Sequence, residues 1–195
     1  MGTKTHAGGS RLSRPNATTA TTTDATSASL PHRHHPSRNS VLTFHDNRSI
    51  ILYVTVVTAK RNAILANKTA YDRIVDAWKE TTEWLVGRYV IMPDHIHFFC
   101  SPSSYPIPDF HKWVKKWKAQ ISRTFPLELR PNAAFPRLPA LFQRDCWDRQ
   151  LRTGDSYTQK WEYVRNNPVR KGLVANADNW PYQGELNTLS WHEKL

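Results

Sequence analysis

The stretch Tyr89-Val-Ile-Met-Pro-Asp-His-Ile-His-Phe-Phe-Cys100 leaves a folding chain few choices, because it spells a hairpin with two different faces. Its apolar, β-branched and aromatic runs read as strands, and Pro93-Asp94 between them is a tight-turn signal with proline in its usual second position. Side chains alternate along a strand, so His95 and His97 share one face while Ile96 and Phe98 take the other. Such a strand needs an apolar layer beneath Ile96 and Phe98, and it holds two imidazoles side by side on the opposite face. A pair of imidazoles so placed is half of a divalent-metal site. Taken alone, the same pattern also fits two polar residues on an exposed sheet face.

The flanking sequence supplies the layers. Ile50 to Val57 is β-branched and apolar throughout and reads as a buried strand. Asn67 is expected to cap a helix running to about Val86, with Tyr71, Ile74, Ala77, Trp78 and Leu85 on its apolar side and Gly87 closing it. Arg88 to Met92 and His95 to Cys100 are the hairpin strands. Asp109 is expected to cap a second helix, whose Phe110, Trp113, Val114, Trp117 and Ile121 recur at helical spacing. A Pro-rich connection from Pro126 to Pro139 leads to a short strand around Leu141 to Trp147. A last helix should start near Asp155 and reach Asn167, where Pro168 ends or kinks it. The resulting order predicts an α+β chain of ferredoxin-like, split βαβ plan: an antiparallel sheet with helices on one face, plus an extra C-terminal helix. The histidine pair then lies on the other face.

The chain has 195 residues and a formal net charge of +11, which suits one domain and a polyanionic partner such as nucleic acid; a solvated basic surface is the alternative. Residues 1–40 carry almost no large apolar side chains and are expected to be a disordered basic tail, with Pro31-His-Arg-His-His-Pro36 an incidental metal binder at most. The domain itself is placed at 41–180, with 181–195 as a C-terminal tail. Two cysteines make no disulfide framework, so a cytoplasmic setting is expected. No apolar run is long enough for a membrane span, and no Walker-type loop signals a nucleotide cofactor.

The last helix, Lys160-Trp-Glu-Tyr-Val-Arg-Asn-Asn-Pro-Val-Arg170, changes how the histidines read. Tyr163 and Asn167 are four apart and share a helix face. An amide oxygen beside two imidazoles completes a three-point metal site with positions open to phosphate oxygens, and the tyrosine one turn away can attack a phosphodiester. Two motifs then stand in order: Met92-Pro-Asp-His-Ile-His97 and Tyr163-Val-Arg-Asn-Asn-Pro-Val-Arg170. With them, and with Phe142 to Arg152 ahead of the second, the chain resembles the REP-associated tyrosine transposases. These are HUH single-strand nucleases related to single-tyrosine insertion-sequence transposases. The resemblance covers roughly Val41 to Trp180.

It implies that His95 and His97 bind a divalent ion, Mg²⁺ or Mn²⁺, that Tyr163 is the nucleophile, and that Asn167 is the third ligand. Because Asn167 directly precedes a proline, Asn166 or a water stands as the alternative ligand. The implied reaction leaves a covalent 5′-phosphotyrosine and a free 3′-OH. The implied partner is single-stranded or hairpin-forming repeat DNA, met by a monomer or a helix-exchanged homodimer at the bacterial nucleoid. Tyr157 is a rival nucleophile, read here as structural. Arg165, Arg170 and Lys171 beside the tyrosine, and Lys112, Lys115, Lys116 and Lys118 on the second helix, are candidate phosphate contacts. Asp148 and Arg149 read as an internal ion pair. The competing function is a DNA-binding protein that keeps the fold without turnover.

Overall fold

The computed structural model describes residues 43–44, 48–131, 139–151 and 157–189. The segment 1–40, with its histidine cluster, lies outside the described residues, as do Asp155 and 190–195. The elements run β1 (Thr43–Phe44), β2 (Arg48–Ser49), β3 (Leu52–Val57), α1 (Lys68–Glu80), β4 (Trp84–Ile91), β5 (His95–Pro102), α2 (Phe110–Thr124), β6 (Trp147–Gln150), α3 (Tyr157–Arg165), α4 (Asn167–Arg170) and β7 (Gln183–Glu185). The main sheet has the order β6-β3-β5-β4-β7, every pair antiparallel. Strand β5 therefore separates β3 from β4, the arrangement a split βαβ unit requires.

Both helix caps act as the sequence indicates. Asn67 accepts from the Ala70 amide and Asp109 from the Lys112 amide, satisfying donors that helix starts leave free. Helix α1 stops at Glu80, however, well short of the expected Val86. Leu85 and Val86, which fit a helical stripe, instead pair with Ser101 and Cys100 across the β4–β5 ladder. Gly87 is no helix cap; it lies within β4 where the register shifts. A Cβ there would come 2.6 Å from the Leu189 side chain and 3.1 Å from the Tyr157 hydroxyl, so the bare backbone is what lets these groups approach.

One sheet face carries Val54, Val56, Ile96, Phe98 and Cys100 against Tyr71, Ile74 and Trp78 of α1 and Trp113, Trp117 and Ile121 of α2. Trp78 stands 5.2 Å from Phe98 and 5.9 Å from Trp117, ring centre to ring centre. Leu141 and Phe142, expected to open a strand, are buried here; Phe142 makes an isolated antiparallel bridge to Thr58, and β6 itself begins only at Trp147. Lys118 also departs from expectation. It is only 8% exposed, and its ammonium donates to the carbonyls of Gln143 (2.5 Å) and Arg144 (2.9 Å), so it anchors a loop and does not face solvent.

The other face is not left bare. Ile51, Val90, Met92 and Phe99 pack there against Tyr157 and Val164 of α3 and against Leu151, Trp180 and Leu189. The Trp180 indole donates to the Ile91 carbonyl at 3.0 Å, and β7 follows along β4. The sheet thus extends past Trp180, where the sequence pattern suggests a tail. On β6, Asp148 stands opposite Val54 and Arg149 opposite Tyr53. Successive strand residues point to opposite faces, so Asp148 and Arg149 do not form the expected pair.

Candidate active site

The histidine pair sits at the end of the second face, and the turn before it is tightly held. The Met92 amide donates to the His95 carbonyl at 2.8 Å, a ladder bond that joins the strands on either side of the Pro93-Asp94 turn. The Asp94 carbonyl accepts from both the amide and the hydroxyl of Thr58, each at 2.9 Å. These bonds fix the backbone from which His95 and His97 project.

Each imidazole is then oriented through Nδ1. His95 Nδ1 lies 2.6 Å from the Asp94 carboxylate, and that carboxylate also takes Arg61 at 3.0 Å. Burial pushes the Asp94 carboxyl up, but its bonds to His95 and Arg61 outweigh this and hold it below the usual carboxylate range. His97 Nδ1 lies 2.9 Å from the hydroxyls of Tyr53 and Thr55. Thr55 is its direct partner in the β3–β5 register, and the Tyr53 ring stacks on the imidazole with centres 5.6 Å apart. Burial, helped by the charges of His95 and Arg170, pushes His97 down to about 3, so the ring stays neutral.

With both Nδ1 atoms engaged, the two Nε2 atoms face each other 3.1 Å apart. A proton or a cation must bridge two such nitrogens. Two imidazoles at about 2.1 Å from one ion and roughly at right angles to each other are separated by the same gap. The outer partners are those that metal-binding histidines use: a carboxylate on one ring and hydroxyls on the other. The donor set therefore fits a divalent cation.

Helix α3 brings Tyr163 to this face. Val164, fully buried, pins the helix, while Tyr163 beside it is 62% exposed. Asn166 breaks the helix, and Pro168 opens α4 in its first turn, where proline lacks nothing. The break returns Arg170 over the Tyr163 ring, with its guanidinium carbon 4.0 Å from the ring centre. Burial raises the Tyr53 hydroxyl, Thr55 lowers it, and the fields of Tyr163 and Arg170 both reach it. Asn167 lies one turn beyond Tyr163, but its amide oxygen accepts from Arg170 and not from either imidazole. The Asn166 amide nitrogen bonds back to the Glu162 carbonyl.

The other sequence candidates divide. Tyr157 is buried, its ring 4.9 Å from Phe99, and burial pushes its hydroxyl well up, as a structural tyrosine requires. Arg165 is paired with Asp178 and Glu162, which ties α3 to the following segment. Lys171 is exposed just beyond Arg170. Lys112, Lys115 and Lys116 ride on α2, across the sheet from the histidines, and Lys112 and Lys116 pair with Asp109 and Glu83. Tyr53, Thr55 and Asp94 carry no motif that marks them in the sequence as partners of the histidines. Nor does one mark Trp147, 53% exposed, whose ring edge meets Tyr53 at 5.5 Å. Only Asp94, adjacent to His95, could have been found without knowing the strand register.

Over 116 residues the chain is 29% identical to a Haemophilus influenzae protein described as a REP-associated tyrosine transposase. The match takes in 54% of this chain and 63% of that protein, so it spans less than two thirds of the relative's length. A solved structure of a REP-associated tyrosine transposase bound to a REP hairpin matches with a TM-score of 0.56, covering 77% of this chain and 82% of that one. In sequence and in fold the chain is similar to the REP-associated tyrosine transposases. The structural match, at 19% identity, speaks for the fold. No family model matches the chain. Among the described residues no helix is long and apolar enough to cross a membrane.

Proposed function

We propose that this protein is a metal-dependent single-stranded DNA endonuclease and strand transferase of the REP-associated tyrosine transposase type, acting at hairpin-forming repeats of the bacterial nucleoid. One arrangement supports it: facing Nε2 atoms at 3.1 Å, with Tyr163 and Arg170 in electrostatic reach of the groups that orient them. His95 and His97 would hold Mg²⁺ or Mn²⁺, which supplies charge neutralisation at the non-bridging phosphate oxygens. Asn167, whose amide oxygen now accepts from Arg170, would be the third residue to hold the ion.

The chain's own groups perform the transfer. The Tyr163 phenol gives up its proton and its oxygen bonds to phosphorus; the bond from phosphorus to the 3′-oxygen breaks, and that oxygen takes up a proton. The products are a 5′-phosphotyrosine and a free 3′-OH. Arg170, 4.0 Å above the ring, is placed to meet the phosphate charge that gathers there. Attack by a 3′-OH on the phosphotyrosine rebuilds the diester, so no nucleotide cofactor is needed.

Labelled single-stranded hairpin oligonucleotides, incubated with Mn²⁺ or Mg²⁺ and run on a denaturing gel, test this. A covalent protein–DNA band should form with the wild type and with Tyr157→Phe, and be lost in Tyr163→Phe and in His95→Ala/His97→Ala. A band that survives Tyr163→Phe relocates the nucleophile. Tight hairpin binding with no band on any repeat favours a DNA-binding protein without turnover.

A further inference from the structure

We infer that His111, Cys146 and Asp148 form a second cation site, suited to a zinc-class ion, on the sheet face opposite the His95–His97 pair. An imidazole nitrogen, the thiol sulfur and a carboxylate oxygen from these three residues lie within 4.8 Å of one another. Tetrahedral zinc, with sulfur at about 2.3 Å and nitrogen or oxygen at about 2.0–2.1 Å, sets its ligands roughly 3.3–3.6 Å apart. The remaining closure is a side-chain movement, and His111, exposed in the first turn of α2, is free to make it.

Among the described residues no disulfide holds Cys146, though Asp109 acts on His111, and Lys118 and Asp145 on Cys146, through charge. Cys146 is a free thiol, half-buried. Among the described residues neither the His111 imidazole nor the Asp148 carboxylate makes a hydrogen bond or a salt bridge. A thiolate, an imidazole and a carboxylate together favour a borderline-soft cation such as Zn²⁺ over Mg²⁺, which prefers oxygen alone.

The scaffold holds the donors in place before any ion arrives. His111 comes from α2, and Lys118, one helix face along, ties the loop before Cys146 to that helix through the Gln143 and Arg144 carbonyls. The Lys118 charge is engaged by those oxygens, and Asp148, joined by the thiolate left when an ion displaces the Cys146 proton, offsets it. Asp148 comes from β6, an edge strand paired on one side only to β3. A cation here joins the start of α2 to the sheet edge. A cleft of about 290 Å³, lined by His111, Cys146, Val114, Lys115, Arg144 and Asp145, leaves room for a water or a small anion as fourth ligand.

Cobalt(II) added to the metal-stripped full-length protein tests the site without reference to DNA cleavage. A thiolate-to-cobalt charge-transfer band is expected in the near ultraviolet. Cys100 is fully buried in the core, so the band reports on Cys146. It should persist in His95→Ala/His97→Ala, which separates it from the proposed active site, and vanish in Cys146→Ser. Histidines alone give no such band, so residues 31–36 do not imitate it. His111→Ala, a change at an exposed residue, should weaken cobalt binding about tenfold or more. One equivalent of Zn²⁺ should displace the cobalt and shield Cys146 from alkylation. A wild type without the band, or a band unchanged in both Cys146→Ser and His111→Ala, overturns the inference.

Discussion

Tyr53 holds His97 in two ways at once: its hydroxyl lies 2.9 Å from Nδ1, and its ring stacks on the imidazole with 28° between the planes. Thr55 supplies a second hydroxyl at the same nitrogen. Partners of this kind orient a ligating ring and set its basicity, and their loss typically costs 10- to 100-fold in metal affinity. Tyr53→Phe/Thr55→Val should therefore bind Mn²⁺ roughly 10- to 100-fold more weakly, read by titration of the metal-free protein. Tyr53→Phe alone should lose less, because Thr55 remains. Unchanged Mn²⁺ affinity in the double variant would show that these hydroxyls serve only the fold.

Gly87→Ala addresses how α3 and the C-terminal segment are seated. The new methyl would meet Leu189 Cγ and Cδ1 at 2.6 Å in a packed, buried position. Overpacking of this kind costs about 1–3 kcal/mol, which thermal or denaturant unfolding would detect. Leu189→Ala in the same chain should recover part of that loss, since it removes the atoms in conflict. Equal costs with and without Leu189 would place the strain in the β4 backbone.

Local signals carried much of this architecture, and pairwise relationships carried the rest. Asn67, Asp109 and the Pro93-Asp94 turn act as read because each works through bonds a few residues away. The end of α1 was not legible: Leu85 and Val86 satisfy a helical stripe as well as a strand, and only pairing with β5 decides between them. Asp148 and Arg149, neighbours in sequence, point to opposite faces of β6, which the sequence pattern does not distinguish from an ion pair. Lys118 fits the basic face of α2 by spacing, yet two loop carbonyls draw it inward. Strand β7 has little intrinsic strand preference in Gln-Gly-Glu and is held by the anchoring of Trp180 and Tyr182 to Ile91. At the candidate site the histidines and Tyr163 are legible from their motifs. Tyr53, Thr55 and Trp147 reach it through sheet register alone.

Trp147 offers an aromatic surface beside Tyr53, the residue that stacks on His97, while remaining half exposed. Unpaired bases stack on such rings for about 1–3 kcal/mol each. Trp147→Ala should accordingly weaken binding of a single-stranded oligonucleotide by roughly 5- to 150-fold in a fluorescence titration. Its melting temperature should move little, since the ring lies at an edge strand. A large fall in melting temperature with unchanged oligonucleotide affinity would make Trp147 a packing residue.

The salt dependence of DNA binding separates the two groups of basic residues. Each phosphate neutralised by a lysine or arginine adds about 0.7 to the slope of log affinity against log salt for a single strand. Arg170 overlies Tyr163, and Lys171 follows it in the exposed turn, so DNA bound as proposed at the tyrosine would meet both. Arg170→Ala and Lys171→Ala should each reduce the slope by about that amount, whatever the oligonucleotide sequence. Lys112 and Lys116 stand across the sheet, already paired with carboxylates, and Lys118 is bonded to carbonyls. Lys112→Ala/Lys116→Ala should leave the slope of a short hairpin unchanged. A slope reduced in this variant and not in Arg170→Ala would mean that the DNA runs over α2, on the face away from the tyrosine.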